Sequence, residues 1–170
     1  MNLLKCFFIA TIMLCGEFSY AQGERVEHVS KEDSIALHNA LNIVMTAIEQ
    51  RDTLLLKSVS LGEVDCVMCV NRWTLPKNYL VPIDTFIKQS FDEIPGSRIA
   101  NAYHTRPLHI TVLTPEMYSP IRESNQPIYE VWVQTLLPDE WVEGHEGASH
   151  AFWFKRLSDE FKFCGMTSIP

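Results

Sequence analysis

Two cysteines three positions apart, Cys66 and Cys69 in the stretch VDCVMCV, have the spacing of a redox-active or metal-binding pair. A redox pair of this kind places its first cysteine at a helix N-terminus, where backbone dipoles lower the thiol pKa. Here Asp65 precedes that cysteine, and the intervening residues favour a strand. In a strand the two Cα atoms would lie roughly 10 Å apart, beyond the roughly 7 Å limit for a disulfide. The pattern predicts two inert core or strand thiols; a structural disulfide, for example to Cys164, and redox or metal chemistry are the alternatives.

Histidines are the second set of candidates. The stretch HEGASH resembles the zinc-protease motif HExxH, whose histidines lie four apart on one helical face. His145 and His150 are five apart with a glycine between them, so we expect a solvated loop, no metal and no cofactor. A surface metal held by these histidines and their neighbouring glutamates is the alternative. His104 and His109 flank TRPL in a predicted strand, where a lone histidine is more often structural.

The N-terminus predicts export. A single lysine precedes a mostly apolar run, CFFIATIMLC, that is too short to span a bilayer as a helix. Ser19 and Ala21 are small residues at the positions that a signal peptidase reads. We therefore expect residues 1–21 to be a signal peptide and the protein to be periplasmic or secreted. A lipoprotein anchored at Cys15 is the alternative, which the leucine directly before that cysteine disfavours.

Charge and cysteine content limit the possible partners. Residues 22–29 are interpreted as a flexible leader and residues 30–170 as one domain, long enough for a hydrophobic core. A net charge of −7 without basic clusters argues against nucleic acid and anionic membranes. The absence of a second long apolar stretch predicts no membrane association after signal cleavage. Removal of the signal leaves an odd number of cysteines, so at most one internal disulfide is expected, in a compartment that permits it.

The elements that must position these residues form a helical first half and a stranded second half. Ser30 is a candidate N-cap before an apolar stripe of helical spacing. Residues 53–62 predict a second short helix, and Pro82 begins a third that ends at Pro95–Gly96. Runs rich in Val, Ile, Thr and aromatic residues then predict strands at residues 98–114, 128–137, 148–157 and 160–168, with a break of the first near Pro107 as the alternative. This order predicts an α+β fold, with N-terminal helices packed on a strongly curved antiparallel sheet.

The same order resembles the nuclear transport factor 2-like superfamily, which includes ketosteroid isomerase, scytalone dehydratase and small polyketide cyclases. The resemblance covers most of residues 33–169. It rests on two stretches, ALHNALNIVMTAIEQRDTLLLKSV and HAFWFKRLSDEFKFCGMTSI. It implies a cystatin-like cone with a cavity between sheet and helices, and no single function. The isomerases place a tyrosine in the first helix; none lies between Asp33 and Arg51, so no catalytic residue is carried over.

Alternation along the predicted strands assigns side chains to two faces of the sheet. On the cavity side the pocket would be mostly apolar, which suits a small apolar molecule, unless side chains fill it. The polar groups nearest such a ligand would be Arg106, Tyr129, Thr135 and His150. On the other face Trp132 and Trp153 predict an interface and a homodimer through the sheet, unless a loop or the leader covers them.

These observations favour a non-enzymatic role, either binding a small apolar ligand or mediating protein contacts. An enzyme of the isomerase, dehydratase or cyclase type is the alternative. It would use His150 or His104 as general base and Tyr129 or Arg106 to stabilise an oxyanion. Polar groups converging in an open pocket would favour the enzyme. A closed core with an exposed tryptophan patch would favour a purely structural interaction protein.

Overall fold

Four α-helices and six β-strands form the described parts of the chain, which are residues 29–69, 79–114 and 126–169 of a computed structural model. The helices are α1 (Lys31–Glu49), α2 (Thr53–Val59), α3 (Ile83–Glu93) and α4 (Arg98–Thr105). The strands are β1 (Ser60–Cys66), β2 (Leu80–Pro82), β3 (Leu108–Leu113), β4 (Ile128–Leu136), β5 (Ala148–Leu157) and β6 (Glu160–Ile169). Helices pack against one sheet, so the predicted α+β class is confirmed. Within the described ranges, none of the helices is long and apolar enough to cross a membrane.

The first two helices begin where local capping signals predict. The Ser30 hydroxyl accepts a hydrogen bond from the backbone N–H of Asp33 at 3.0 Å, which satisfies one of the free donors at the start of α1. The Asp52 carboxylate caps α2 in the same way, because it accepts a hydrogen bond from the backbone N–H of Leu55 at 2.9 Å. Between the two helices, Arg51 adopts a left-handed backbone conformation with φ 56°. The apolar stripe of α1 is buried as predicted, at Leu37, Leu41, Val44 and Ile48.

One predicted element is wrong in extent and another is wrong in type over half its length. The second helix ends at Val59 and not at Gly62, because the next residues form β1. Residues 98–114 are not one strand: their first half is helix α4, and β3 begins only after Pro107. Ser97 starts α4 by accepting a hydrogen bond at 3.1 Å from the backbone N–H two residues on. The Ser97 cap and the buried apolar face therefore make this segment a helix, although its composition also fits a strand.

One sheet contains all six strands, in the order β2-β1-β6-β5-β4-β3. Neighbouring strands are antiparallel except β1 and β6, which run parallel, so the sheet predicted to be antiparallel is mixed. At the parallel contact Gly165 lies opposite Asp65. A Cβ atom on Gly165 would lie 2.7 Å from the backbone oxygen of Asp65. The absence of a side chain is what allows β1 to approach β6 this closely.

Side chains fill the interior between the helices and the sheet. The Phe163 ring lies at the centre, with its centroid 4.8 Å from that of Phe86, 6.3 Å from Phe152 and 6.0 Å from Phe154. All four rings are fully buried, and aliphatic side chains of α1 pack around them. Aromatic and aliphatic groups thus occupy the space that the family resemblance would assign to a ligand cavity. Any ligand site has to lie towards the margins of this core.

The close approach of β1 to β6 gives the first testable prediction. Gly165→Ala should destabilise the protein by about 1–3 kcal/mol, because the added methyl group meets backbone that must shift. The matched control is Gly62→Ala on β1, where nothing lies within 4 Å of the added Cβ. That variant should be neutral or more stable by up to about 1 kcal/mol. Urea unfolding followed by tryptophan fluorescence measures both, and equal effects of the two substitutions would contradict the packing described.

Candidate functional site

A cleft of about 270 Å³ lies at one end of the sheet, where α4, the last residues of β4 and the β4–β5 loop meet. Its walls are mainly polar. They are formed by Arg98, Asn101, Ala102, Arg106, Thr135, Leu136, Glu140 and Trp141. Two of the four residues predicted to bind a ligand, Arg106 and Thr135, are among them.

Three hydrogen bonds hold the Arg106 side chain in the cleft. Its Nη2 donates to both carboxylate oxygens of Glu140, at 2.8 and 3.0 Å, and its Nη1 donates to the backbone oxygen of Gln134 at 3.0 Å. Glu140 also accepts the backbone N–H of Leu137 at 2.6 Å. That backbone hydrogen bond, together with Arg106, lowers the pKa of Glu140. The two side chains form a bidentate ion pair in which each charge is already compensated.

Arg98 and Trp141 supply the exposed groups of the cleft. Arg98 is an exposed residue in the first turn of α4, and its charge acts on Glu140, since Arg98 contributes to the lowering of the pKa of that carboxyl group. Asn101 follows one helical turn later on the same wall. The Trp141 side chain is 69% exposed, and its ring meets that of His145 edge to face with centroids 5.3 Å apart. The cleft therefore combines a second guanidinium beside the Arg106–Glu140 pair, an amide and an aromatic surface.

The loop that carries Trp141 is held by its own hydrogen bonds. The backbone N–H of Asp139 donates to the backbone oxygen of His145 at 2.9 Å, and the backbone N–H of His145 donates to the backbone oxygen of Val142 at 3.0 Å. Gly144 donates to the Asp139 carboxylate at 2.6 Å. The backbone turns through left-handed conformations at Asp139 and Gly144, with φ values of 61° and 84°. Trp141 is thus presented by a loop whose shape is set before any ligand binds.

The histidines and acids of HEGASH do not converge on one point. His145 lies in the loop and accepts the backbone N–H of Gly147 at its Nδ1, 2.9 Å away. His150 lies on β5 and turns towards Thr135. Among the residues that the structure describes, no three His, Cys, Asp or Glu side chains are placed to hold a metal ion.

Thr135 connects the cleft to His150. The Thr135 hydroxyl donates to the backbone oxygen of Ala148 at 3.1 Å and lies 3.2 Å from Nδ1 of His150. Since the single hydroxyl proton goes to Ala148, Nδ1 carries the imidazole proton and donates to Thr135. Burial lowers the pKa of His150, which keeps the ring neutral at pH 7. The ring lines a separate recess of about 40 Å³, formed with Val67, Met68, Met166, Thr167 and Ser168.

Tyr129 is remote from the other predicted ligand-binding residues. It packs on the helix side of the sheet as predicted, with its ring centroid 5.0 Å from that of Phe161. Thr135 lies six residues further along β4, which is about 20 Å at about 3.3 Å per residue. His104 lies near the end of α4 and pairs through Nε2 with Glu49 at 2.7 Å. Tyr129 is therefore not brought to His150, whereas Arg106 lies in the cleft that Thr135 connects to that histidine.

The two tryptophans predicted to form an interface lie on the outer sheet face, but Trp153 is only 3% exposed. Trp153 donates from Nε1 to one Glu130 oxygen at 2.9 Å. Trp132 donates from Nε1 to the Thr111 hydroxyl at 2.8 Å, and this hydroxyl donates to the other Glu130 oxygen at 2.6 Å. Both indole N–H groups are thus satisfied within the sheet. The predicted interface required both tryptophans to be exposed, and Trp153 is not. Trp132 is half-buried and lies beside a groove of about 380 Å³.

Sequence reasoning missed the residues that give the cleft its charge and its aromatic surface. Arg98 and Asn101 were not recognised because their segment was predicted as a strand, in which residues three apart face opposite sides. In a helix the same spacing places them on one face. Trp141 and Glu140 lie in the stretch PDEWVEG, where a tryptophan in a turn-rich loop was the available signal.

A disulfide joins Cys66 to Cys69, so the prediction of unpaired strand thiols is wrong. The strand ends at Cys66, and Val67–Cys69 form a 3-10 turn that brings the two Cα atoms to 5.3 Å. Cys164 is left as the free cysteine of the described residues. Burial raises the pKa of its thiol to about 12, which makes it unreactive at neutral pH.

Asp65, beside this disulfide, is a buried carboxyl group that lacks a complete set of partners. It is 7% exposed, and its Oδ1 has no hydrogen-bond partner. Burial raises its pKa to about 6. A carboxylate is therefore held in a place that favours its neutral form.

Comparisons with known proteins give no assignment for these sites. No protein-family model matches the chain, and no curated protein matches it at a significant level. The resemblance to the nuclear transport factor 2-like superfamily accordingly stays a prediction from the order of the elements.

The raised pKa of Asp65 makes stability depend on pH in a defined direction. Because the folded-state pKa is about 6 and the unfolded value is 3.8, Asp65 favours folding below pH 4 and loses that contribution as the pH rises towards 6. Asp65→Asn removes the titration. The free energy of unfolding of the variant, relative to that of the wild type, should rise by up to about 3 kcal/mol between pH 4 and pH 7, at about 1.36 kcal/mol per pKa unit. Urea unfolding at both pH values gives this difference, and a pH-independent difference would show that the carboxyl group is not buried as described.

Proposed function

We propose that this protein is a non-enzymatic binding domain, and that the cleft between α4 and the β4–β5 loop takes a small molecule with an anionic group and a flat apolar part. The observation that carries this proposal is the pairing of an exposed guanidinium, Arg98, with an exposed aromatic ring, Trp141, in one cleft. The walls of the cleft are more polar than those of most small-molecule sites, so Trp141 has to supply the apolar surface.

The charges of the cleft favour an anion. Two guanidinium groups, Arg98 and Arg106, share one carboxylate, Glu140, so the three side chains carry a net positive charge. A guanidinium binds a carboxylate with two parallel hydrogen bonds, which gives orientation as well as affinity. The Asn101 amide on the same wall can donate a further hydrogen bond to the same group.

The aromatic part of the ligand is assigned to Trp141. Its ring offers a large apolar surface at a small cost in conformational entropy, because the surrounding loop is held by its own hydrogen bonds. The cleft volume of about 270 Å³ lies near the lower end of the range of about 300–1,000 Å³ for small-molecule sites. The ligand is therefore small, such as an aromatic carboxylate with one ring.

The enzymatic alternative has less support. An acid–base mechanism needs a general base within hydrogen-bond reach of the proton that it removes. His150 is engaged with Thr135 and lines the recess of about 40 Å³, and His104 is paired with Glu49. The apolar substrate of an isomerase or cyclase would also need space that the phenylalanine side chains now fill. Binding without chemistry is consistent with all these positions.

Two further expectations are kept as proposals. The disulfide supports export, since disulfides persist in oxidising compartments. A homodimer through the outer sheet face is supported by the groove beside Trp132 but weakened by the burial of Trp153. Sedimentation of the wild type against Trp132→Ala tests the dimer, because a monomer in both cases would exclude this interface.

Titration with one-ring aromatic carboxylates, followed by proton–nitrogen correlation spectra, tests the proposed ligand class. Benzoate or phenylacetate should shift the indole N–H of Trp141 and the side-chain amide of Asn101. Arg98→Ala should weaken binding at least about tenfold, which corresponds to about 1.4 kcal/mol and is within the range for a charge-assisted hydrogen bond. Trp141→Ala should weaken it to a similar degree.

Matched controls separate the cleft from general effects of charge or exposed apolar surface. Arg51→Ala removes an exposed arginine outside the cleft, and Leu54→Ala removes an exposed apolar side chain; both should bind as the wild type does. Benzamide, the neutral analogue of benzoate, should bind more weakly than benzoate. If benzamide bound equally well, or if shifts clustered around Trp132, the anion site at Arg98 would be excluded.

A further inference from the structure

We propose that the Cys66–Cys69 disulfide is an exchange site for low-molecular-weight thiols, with Cys69 as the sulfur that is attacked and Cys66 as the leaving group. The proposal is independent of the binding function assigned to the cleft. It rests on the unequal burial of the two sulfurs, on a backbone hydrogen bond to one of them, and on the small loop that the disulfide closes.

Burial decides which sulfur an external thiol can reach. Cys66 is fully buried and belongs to the core between the helices and the sheet. Cys69 ends the 3-10 turn and is half-buried, as are the two residues between the cysteines. Exchange requires direct contact between the attacking thiolate and a disulfide sulfur. Cys69 packs against the edge of the core but is the less buried residue of the pair, so we assign its sulfur as the one that a thiol from solvent attacks.

A backbone hydrogen bond prepares Cys66 to leave. The N–H of Cys69 donates to Sγ of Cys66 at 3.1 Å. This hydrogen bond becomes charge-assisted when the sulfur leaves as a thiolate, and it therefore stabilises the leaving group. A thiol with a more stable thiolate leaves faster in disulfide exchange. Burial of Cys66 disfavours its thiolate, and the hydrogen bond from Cys69 opposes that effect. The direction of attack therefore rests on access to Cys69 together with this hydrogen bond.

The reaction balances with thiols as the only co-reactants. A thiolate RS⁻ attacks Sγ of Cys69; the R–S–Sγ bond forms, the bond to Cys66 breaks, and Cys66 departs with the electron pair and takes a proton from water. A second thiolate then attacks the sulfur of R, which releases RSSR and leaves Cys69 as a thiolate. The protein disulfide is reduced to two thiols, and two molecules of thiol are oxidised to one disulfide.

The fold does not depend on this disulfide being closed. A cross-link between residues three apart closes a small loop and removes little entropy from the unfolded chain. The strand before it is held independently by pairing with β2 and β6, and the N–H of Cys66 donates to the backbone oxygen of Tyr79 at 2.9 Å. Cys164 does not divert the exchange, since its thiol is buried on the outer sheet face. The pair can therefore cycle between its two states in the folded protein.

Equilibration of the full chain in buffers of reduced and oxidised glutathione tests this inference. After acid quench and alkylation, peptide mass spectrometry reports the state of the Cys66–Cys69 peptide. Under native conditions this peptide should change from mostly oxidised to mostly doubly alkylated as the squared concentration of reduced glutathione, divided by the concentration of oxidised glutathione, rises about a hundredfold. This is the range that a two-electron exchange requires. Circular dichroism should show the same fold at both ends. A peptide that stays oxidised in every buffer and is reduced only in urea would overturn the proposal.

Single-cysteine variants test the direction of attack. In Cys66→Ser, oxidised glutathione should form a stable mixed disulfide at Cys69. In Cys69→Ser the buried Cys66 should react at least about tenfold more slowly, since thiol reactivity follows exposure and thiolate fraction. Cys164→Ser is the matched control and should leave the wild-type titration unchanged. Equal reactivity of Cys66 and Cys69 would overturn the assignment, and the wild-type titration remains decisive if either single-cysteine variant fails to fold.

Discussion

The contact of Phe163 with three other phenylalanine rings is the interaction on which the rest of the structure depends. Phe163 joins α3, through Phe86, to the two neighbouring rings of β5, Phe152 and Phe154. Because a close-packed interior leaves no room for a ligand, this cluster confines binding and chemistry to the margins of the sheet. The cleft at the end of β4 and the disulfide turn after β1 are two such margins. Both proposed sites therefore lie where the packed core ends.

The elements that were predicted correctly are those decided by local signals. The Ser30 cap and the four-residue spacing of Leu37 and Leu41 specify α1, and the alternation around a short charged turn specifies the β5–β6 hairpin. Helix α4 was missed because its apolar residues fit a strand as well as one helical face. Short segments of this kind are settled by their packing, here against β4.

The sites were predicted less completely, and the reason is physical. Arg106 and Thr135 were predicted to lie near one cavity and do line one cleft, although Arg106 ends a helix and not a strand. Arg98 and Trp141 reach the same cleft from elements far apart in sequence. Their meeting depends on how α4 packs on the sheet, which no local pattern encodes. The disulfide was missed because the sequence around Cys66 does not show where the strand ends. Its end is set by tertiary pairing with β2 and β6.

The burial of the Asp65 carboxyl group, whose Oδ1 has no hydrogen-bond partner, is a consequence of the close backbone contact between β1 and β6. Gly165 has no side chain, so β1 lies directly against β6, and this approach buries the Asp65 carboxyl group on the outer face. Hydration of Asp65 would require β1 to move away from β6. That movement would also displace Cys66, which is the next residue, and break the core packing around it. The cost of a buried carboxylate is therefore tolerated because the packing of the adjacent cysteine and the close strand pairing outweigh it.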